Sequence, residues 1–235
     1  MFSTNYRTVF NGIFKLVFLA VSFQALWISA GGIAPARANI APAIGDYKVL
    51  VILGYFSDTP KPATTPSQIN SVVFGDTNSY YQENSYGKVS LSGSVVGWYA
   101  LPKSRDCNTG LSGALVFMQA ADAEVDFNDY SRIIFIAPYG CGIVAVEDGS
   151  LRPYNTPDGT VSLALIHLNS SFATNRPLIA HELGHTFGLD HANFYNCGEV
   201  SYAETGCTVL NYSDPYSVMS KTNLYHFNAM HKDYL

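Results

Sequence analysis

The residues best able to do chemistry in this chain lie in one short stretch, His181-Glu182-Leu183-Gly184-His185-Thr186-Phe187-Gly188-Leu189-Asp190-His191. Residues four apart share one face of a helix, so the imidazoles of His181 and His185 can converge on one metal ion, with Glu182 one step round beside it. Gly188 stands three residues after the second histidine, where a residue free to adopt positive φ can end the helix and turn the chain back. That turn would deliver His191 as a third nitrogen ligand. Three histidines leave one position of a tetrahedral zinc open to water, the arrangement of a catalytic rather than a structural site. A chance match to these five positions somewhere in a chain of this composition is on the order of one in 10⁵. The chemistry to expect is hydrolysis by metal-activated water: Glu182 takes a proton from the attacking water and passes it to the leaving group, with no covalent intermediate.

Such a site needs a helix for two ligands and a core to hold that helix. The zinc helix is predicted to start at Thr174 or Asn175, either of which can cap it, with Pro177 in its first turn. Leu178, Ile179, Leu183 and Phe187 supply its apolar face. Upstream, Tyr47–Phe56 is a nearly continuous β-branched and aromatic run, as expected of a strand buried on both faces. A helix is predicted from Ser67 to about Glu83 despite Gly75, a half-exposed strand over Lys88–Leu101, and a helix over Leu111–Ala123. Arg132–Ala137 reads as a further buried strand, and Val161–Leu168 as an edge strand lining the cleft, with His167 on it a structural histidine. Residues 192–215, rich in Gly, Asn, Ser, Thr and Cys, read as irregular, and Asn223–Leu235 as a last helix.

Composition sets the compartment and excludes some partners. Arg7 and Lys15 precede a mostly apolar, uncharged run from Leu16 to Ala34, and Ala36-Arg37-Ala38 offers a cleavage site, so residues 1–38 read as a secretory signal. An uncleaved N-terminal membrane anchor is the alternative, and either places the catalytic part, residues 39–235, outside the cytosol. A membrane is a partner only in that second case. Without the first 38 residues the chain carries 10 basic residues against 18 acidic ones, a net charge of −8, which argues against nucleic acid as a partner. Four exported cysteines lacking C-x-x-C spacing read as two disulfides. Three pairings are possible; Cys107 with Cys141 and Cys197 with Cys207 is the expectation, the second closing a short loop just after the zinc motif.

The zinc stretch resembles the long metzincin signature, and with it Asp214-Pro215-Tyr216-Ser217-Val218-Met219-Ser220 resembles that group's Met-turn, Met219 lying beneath the metal. Asn84–Gly93, Asp129–Phe135 and His226–Lys232 resemble the gametolysin family within it. Ala192 follows the third histidine, where astacins have Glu, reprolysins Asp and serralysins Pro. Lys221 stands second after Met219, where astacins and serralysins carry an oxyanion-assisting tyrosine, leaving Tyr216 and Tyr225 as candidate helpers here. The resemblance implies an α/β (α+β) sandwich: a twisted mixed sheet with backing helices and the zinc helix, above a small irregular C-terminal subdomain. It also implies one catalytic zinc, a polypeptide substrate, and a domain truncated or minimal at Leu235. Calcium is neither implied nor excluded. The rival reading is a catalytically weak or inactive, zinc-stabilised extracellular binding protein.

Overall fold

The run that reads as a doubly buried strand is one. In the computed structural model, which describes residues 44–102, 111–140, 145–147, 151–220 and 225–235, β1 is Gly45–Phe56. Val49, Val51 and Leu53 point to one face and Leu50 and Ile52 to the other, all fully buried. A strand with two apolar faces must be covered on both. On the first face lies a long helical segment built from α1 (Pro66–Asn70), π-helical turns over Ser71–Thr77 around Gly75, and α2 (Asn78–Asn84). Thr65 starts it with a capping box, its hydroxyl accepting from the Gln68 amide while Gln68 Oε1 accepts from the Thr65 amide. On the second face α3 (Leu111–Ala121) packs Ala114, Phe117, Met118 and Ala121 against Leu50, Ile52, Ile133 and Phe135.

The sheet is mixed. Its order is β2-β1-β3-β6-β4, with β2 Val89–Leu101, β3 Arg132–Ala137, β4 Ala145–Glu147 and β6 Gly159–Asn169. The first four strands run parallel, while β4 and β5 (Arg152–Thr156) pair antiparallel with successive parts of β6. This corrects the edge assignment of Val161–Leu168: β6 is interior, bonded to β3 on one side and to β4 and β5 on the other. Its outer partners are short, and β5 carries polar Arg152 and Asn155 in the open, so neither shows the apolar run that would mark a strand.

Beyond α4 (Arg176–Thr186), the helix that bears His181 and His185, two three-residue strands, β7 (Phe194–Asn196) and β8 (Thr208–Leu210), form a hairpin tied by the Cys197–Cys207 disulfide. The last helix is shorter than predicted. Asn228 caps α5 (Ala229–Tyr234) by accepting from the His231 amide, and Phe227 just before it is buried against Tyr80 and Tyr81. No described helix is long and apolar enough to cross a membrane. The N-terminal segment 1–38, Cys107, Cys141 and Lys221 lie outside the described residues.

Candidate metal centre

The helix bearing the first two histidines is specified at both ends. Asn175 caps it through Oδ1, which accepts from the Leu178 amide at 3.1 Å, and Pro177 occupies its first turn. At the other end Gly188 takes φ +87°, its amide donating to His185 O at 2.8 Å and the Leu189 amide to Gly184 O at 3.0 Å. These two bonds make a Schellman motif, and only a residue tolerant of positive φ closes it without strain. Arg132, buried at the start of β3, secures this end from outside. Its Nε donates to Thr186 Oγ1 at 2.8 Å and Nη2 to Thr186 O, while its guanidinium lies against both the Tyr47 and the Phe187 ring. Burial brings its pKa down only to about 10, so it stays cationic beside the helix C-terminus, where positive charge is favourable.

Two of the ligands are oriented by backbone carbonyls. His181 Nδ1 donates to Val218 O and His185 Nδ1 to Leu189 O, each at 2.8 Å. A carbonyl oxygen can only accept, so both nitrogens carry the proton and both Nε2 atoms present lone pairs when neutral. Those Nε2 atoms face each other at 3.1 Å. An acceptor facing an acceptor in a buried site is satisfied by a cation placed between them. Burial, followed by the neighbouring His181, lowers the His185 pKa to about 4, and burial also lowers those of His181 and His191, so all three imidazoles are neutral at pH 7. His191 completes the set: one ligand atom from each histidine lies within 4.8 Å of the others. Three neutral imidazoles, two of them held by backbone carbonyls through their far nitrogens, fit zinc. Glu182, 8% exposed, stands on the same turn as His181.

Met219 lies fully buried beneath this helix. A Cβ added to Gly184, between the two helix ligands, would stand 2.5 Å from Met219 Sδ, so the glycine is what allows the sulfur to approach. Met219 O accepts from the Ala192 amide at 2.8 Å, fastening the Met219 turn to the residue after His191. Tyr216 and Tyr225 are not brought to the imidazoles; they are 73% and 52% exposed and pack on each other with ring centroids 6.0 Å apart. The aromatic at the centre is one the motif did not single out. The Tyr212 ring lies 3.5 Å, centroid to centroid, from His191, and its phenol is close enough to Glu182 for that carboxylate to raise its pKa, second to burial. Its side chain had no spacing signal, because the loop that delivers it has no period. Gly184 did have one, since a glycine inside a helix is unfavourable and calls for a packing reason. His167 is buried in β6, with Nδ1 bonded to the Tyr139 hydroxyl at 2.9 Å and Nε2 without a hydrogen-bond partner among the described residues.

Residues 130–208, from just before β3 to the first residue of β8, match a family described as "Dual-action HEIGH metallo-peptidase"; the match includes all three histidines and Glu182. No curated protein matches the chain. The solved structures to which the chain shows similarity include two with the following measures. One, titled "Structure of a chaperone-substrate complex", has 13% identity and a TM-score of 0.47 over 79% of this chain. The other, the crystal structure of metalloproteinase-II from Bacteroides fragilis, has 14% identity and a TM-score of 0.43 over 84% of this chain. This chain spans 29% and 53% of their respective lengths. The stretch holding the three-histidine cluster is thus similar to a metallopeptidase family.

Proposed function

We propose that this chain is a secreted, zinc-dependent endopeptidase of gametolysin-like type, acting on extracellular protein or glycoprotein. The observation that carries the catalytic part is the pair of Nε2 lone pairs facing each other at 3.1 Å, with His191 beside them and Glu182 on the same turn. His181, His185 and His191 would hold the ion, kept neutral by burial and, for the first two, aimed by the Val218 and Leu189 carbonyls. When bound, zinc supplies a Lewis acid that polarises the scissile carbonyl and lowers the pKa of its water towards about 7. Glu182 accepts the proton of the attacking water and returns it to the leaving amine, so one carboxylate serves as base and then acid. Met219 supports the helix from below, through the gap left by Gly184.

The rival reading, a zinc-stabilised binding protein, has no use for Glu182, since a structural metal needs no general base. Incubating the purified protein with a mixed peptide library, with and without a zinc chelator, separates the two by mass spectrometry. Chelator-sensitive cleavage supports the peptidase. An intact library, with zinc bound, favours the binding protein. Export rests on residues 1–38 alone, and N-terminal sequencing of the exported protein tests cleavage after Ala38.

A further inference from the structure

The three histidines are not held alike. His181 and His185 each donate through Nδ1 to a backbone carbonyl, but among the described residues no hydrogen bond is made by the His191 ring. A ligand imidazole normally gains its orientation and basicity from such a bond. What His191 has instead is an aromatic face: the Tyr212 ring lies over it at 3.5 Å with a 34° tilt, and continues parallel, within 12°, to the His181 ring 6.4 Å away.

The backbone beneath that tyrosine is fixed with unusual care. Tyr212 adopts φ +56°, a left-handed conformation unfavourable for a residue with a side chain. It is held there from two sides. Asn193 Oδ1, two residues after His191, accepts from the Tyr212 amide at 3.0 Å, and the Ser220 hydroxyl, next to Met219, donates to Tyr212 O at 2.5 Å. The disulfide hairpin β7–β8 spans the chain between those anchors, with Phe194 opposite Leu210. Strain at a solvent-exposed residue persists only when its surroundings over-determine it. Here the surroundings consist of the loop after the third ligand and the Met219 turn.

We propose that Tyr212 is a positioning residue for the metal centre, its ring serving His191 as the carbonyls of Val218 and Leu189 serve the other two histidines. The inference rests on the zinc-site reading above. It assigns the contribution to the ring, not to the hydroxyl.

The test measures zinc affinity of the metal-stripped full chain by competition with a chromogenic chelator. Tyr212→Phe keeps the ring and should bind zinc within about threefold of wild type, while Tyr212→Gly should weaken binding about 10- to 100-fold. Glycine is chosen because it relaxes the left-handed backbone, so the metal-free thermal midpoint should stay level or rise while affinity falls. Loss of a merely structural residue would instead lower the midpoint together with the affinity. Asn193→Ala, which frees the backbone under the ring, should weaken zinc about threefold and serves if the glycine variant does not fold. Wild-type affinity in both Tyr212→Gly and Asn193→Ala, or equal loss in Tyr212→Phe and Tyr212→Gly, overturns the assignment to the ring. Failure of the wild-type chain to take up zinc overturns the metal-centre reading along with it.

Discussion

The helix that presents His181 and His185 and the loop that presents His191 solve the same problem with different physics. Along α4 nearly every residue from Leu178 to Thr186 is buried, both ends are fixed by side-chain and backbone bonds, and each ligand nitrogen is aimed by a carbonyl. The hairpin that follows His191 has no such cover: Phe194, Tyr195, Val209 and Leu210 all stand in solvent, and a disulfide substitutes for a core. Two ligands therefore inherit their positions from the packed sheet, and the third is held by a turn, a stacked ring and two local hydrogen bonds. Opening free energies rise with burial and contact density, so the centre should loosen from its His191 side.

The comparison is broken most directly by removing ligands. His181→Ala and His191→Ala should each abolish most zinc binding, as a two-ligand site remains in both. They should differ in the metal-free protein. His181→Ala leaves Val218 O without its buried donor and should lower stability by about 1–3 kcal/mol, whereas His191→Ala should stay within about 0.5 kcal/mol. Calorimetry or denaturant melts of the metal-free variants decide it; equal losses would dissolve the distinction.

Acid probes the packed half. His167 is buried, and burial lowers its pKa from 6.5 to about 4. Between those values the unfolded chain binds a proton that the folded chain refuses, so the contribution is complete above pH 6.5 and lost progressively as pH falls towards 4. The loss reaches about 3 kcal/mol. His167→Phe in the metal-free protein should flatten the stability curve in that window by about one proton, and an unchanged slope would show that His167 protonates freely in the fold.

Gly184→Ala sharpens the comparison from inside α4. The added methyl would meet Met219 Sδ at 2.5 Å, so the fully buried Met219 side chain must give way, at a cost of about 1–3 kcal/mol. That should exceed the gain in helix propensity of about 1 kcal/mol. A more stable variant with unchanged zinc affinity would remove Met219 as a support. The smallest effect belongs to the hairpin: Val209→Thr, 57% exposed, should change stability by less than about 0.5 kcal/mol. A larger loss by thermal melt would reveal packing on that face.

The parts of this molecule legible in the sequence are those where one side chain's character decides the outcome. Tyr47–Phe56 and Arg132–Ala137 are apolar enough to be only buried strands, and Asn175, Pro177 and Gly188 mark the ends of α4 by their own chemistry. Burial of β6 in the sheet interior was not legible, because it depends on partners as short as Ala145–Glu147. The β5–β6 hairpin did carry a sign in Thr156-Pro157-Asp158-Gly159, a turn sequence in which the proline presets φ and the glycine admits the left-handed region. Tyr212 shows the opposite limit: its meeting with His191 is set by a disulfide hairpin and by bonds to Asn193 and Ser220, none of which has a period or a motif. The tyrosines nearest the Met219 turn in sequence, Tyr216 and Tyr225, lie in solvent instead.

The most direct test of the central claim is Glu182→Gln, assayed for zinc content and peptide cleavage on the same sample. The amide preserves the shape of the side chain but cannot accept a proton from water at neutral pH. Zinc should remain at about one per chain while cleavage falls by about 10²- to 10⁴-fold. Undiminished cleavage by the zinc-loaded variant would contradict the account, and would move the search for the proton acceptor away from Glu182.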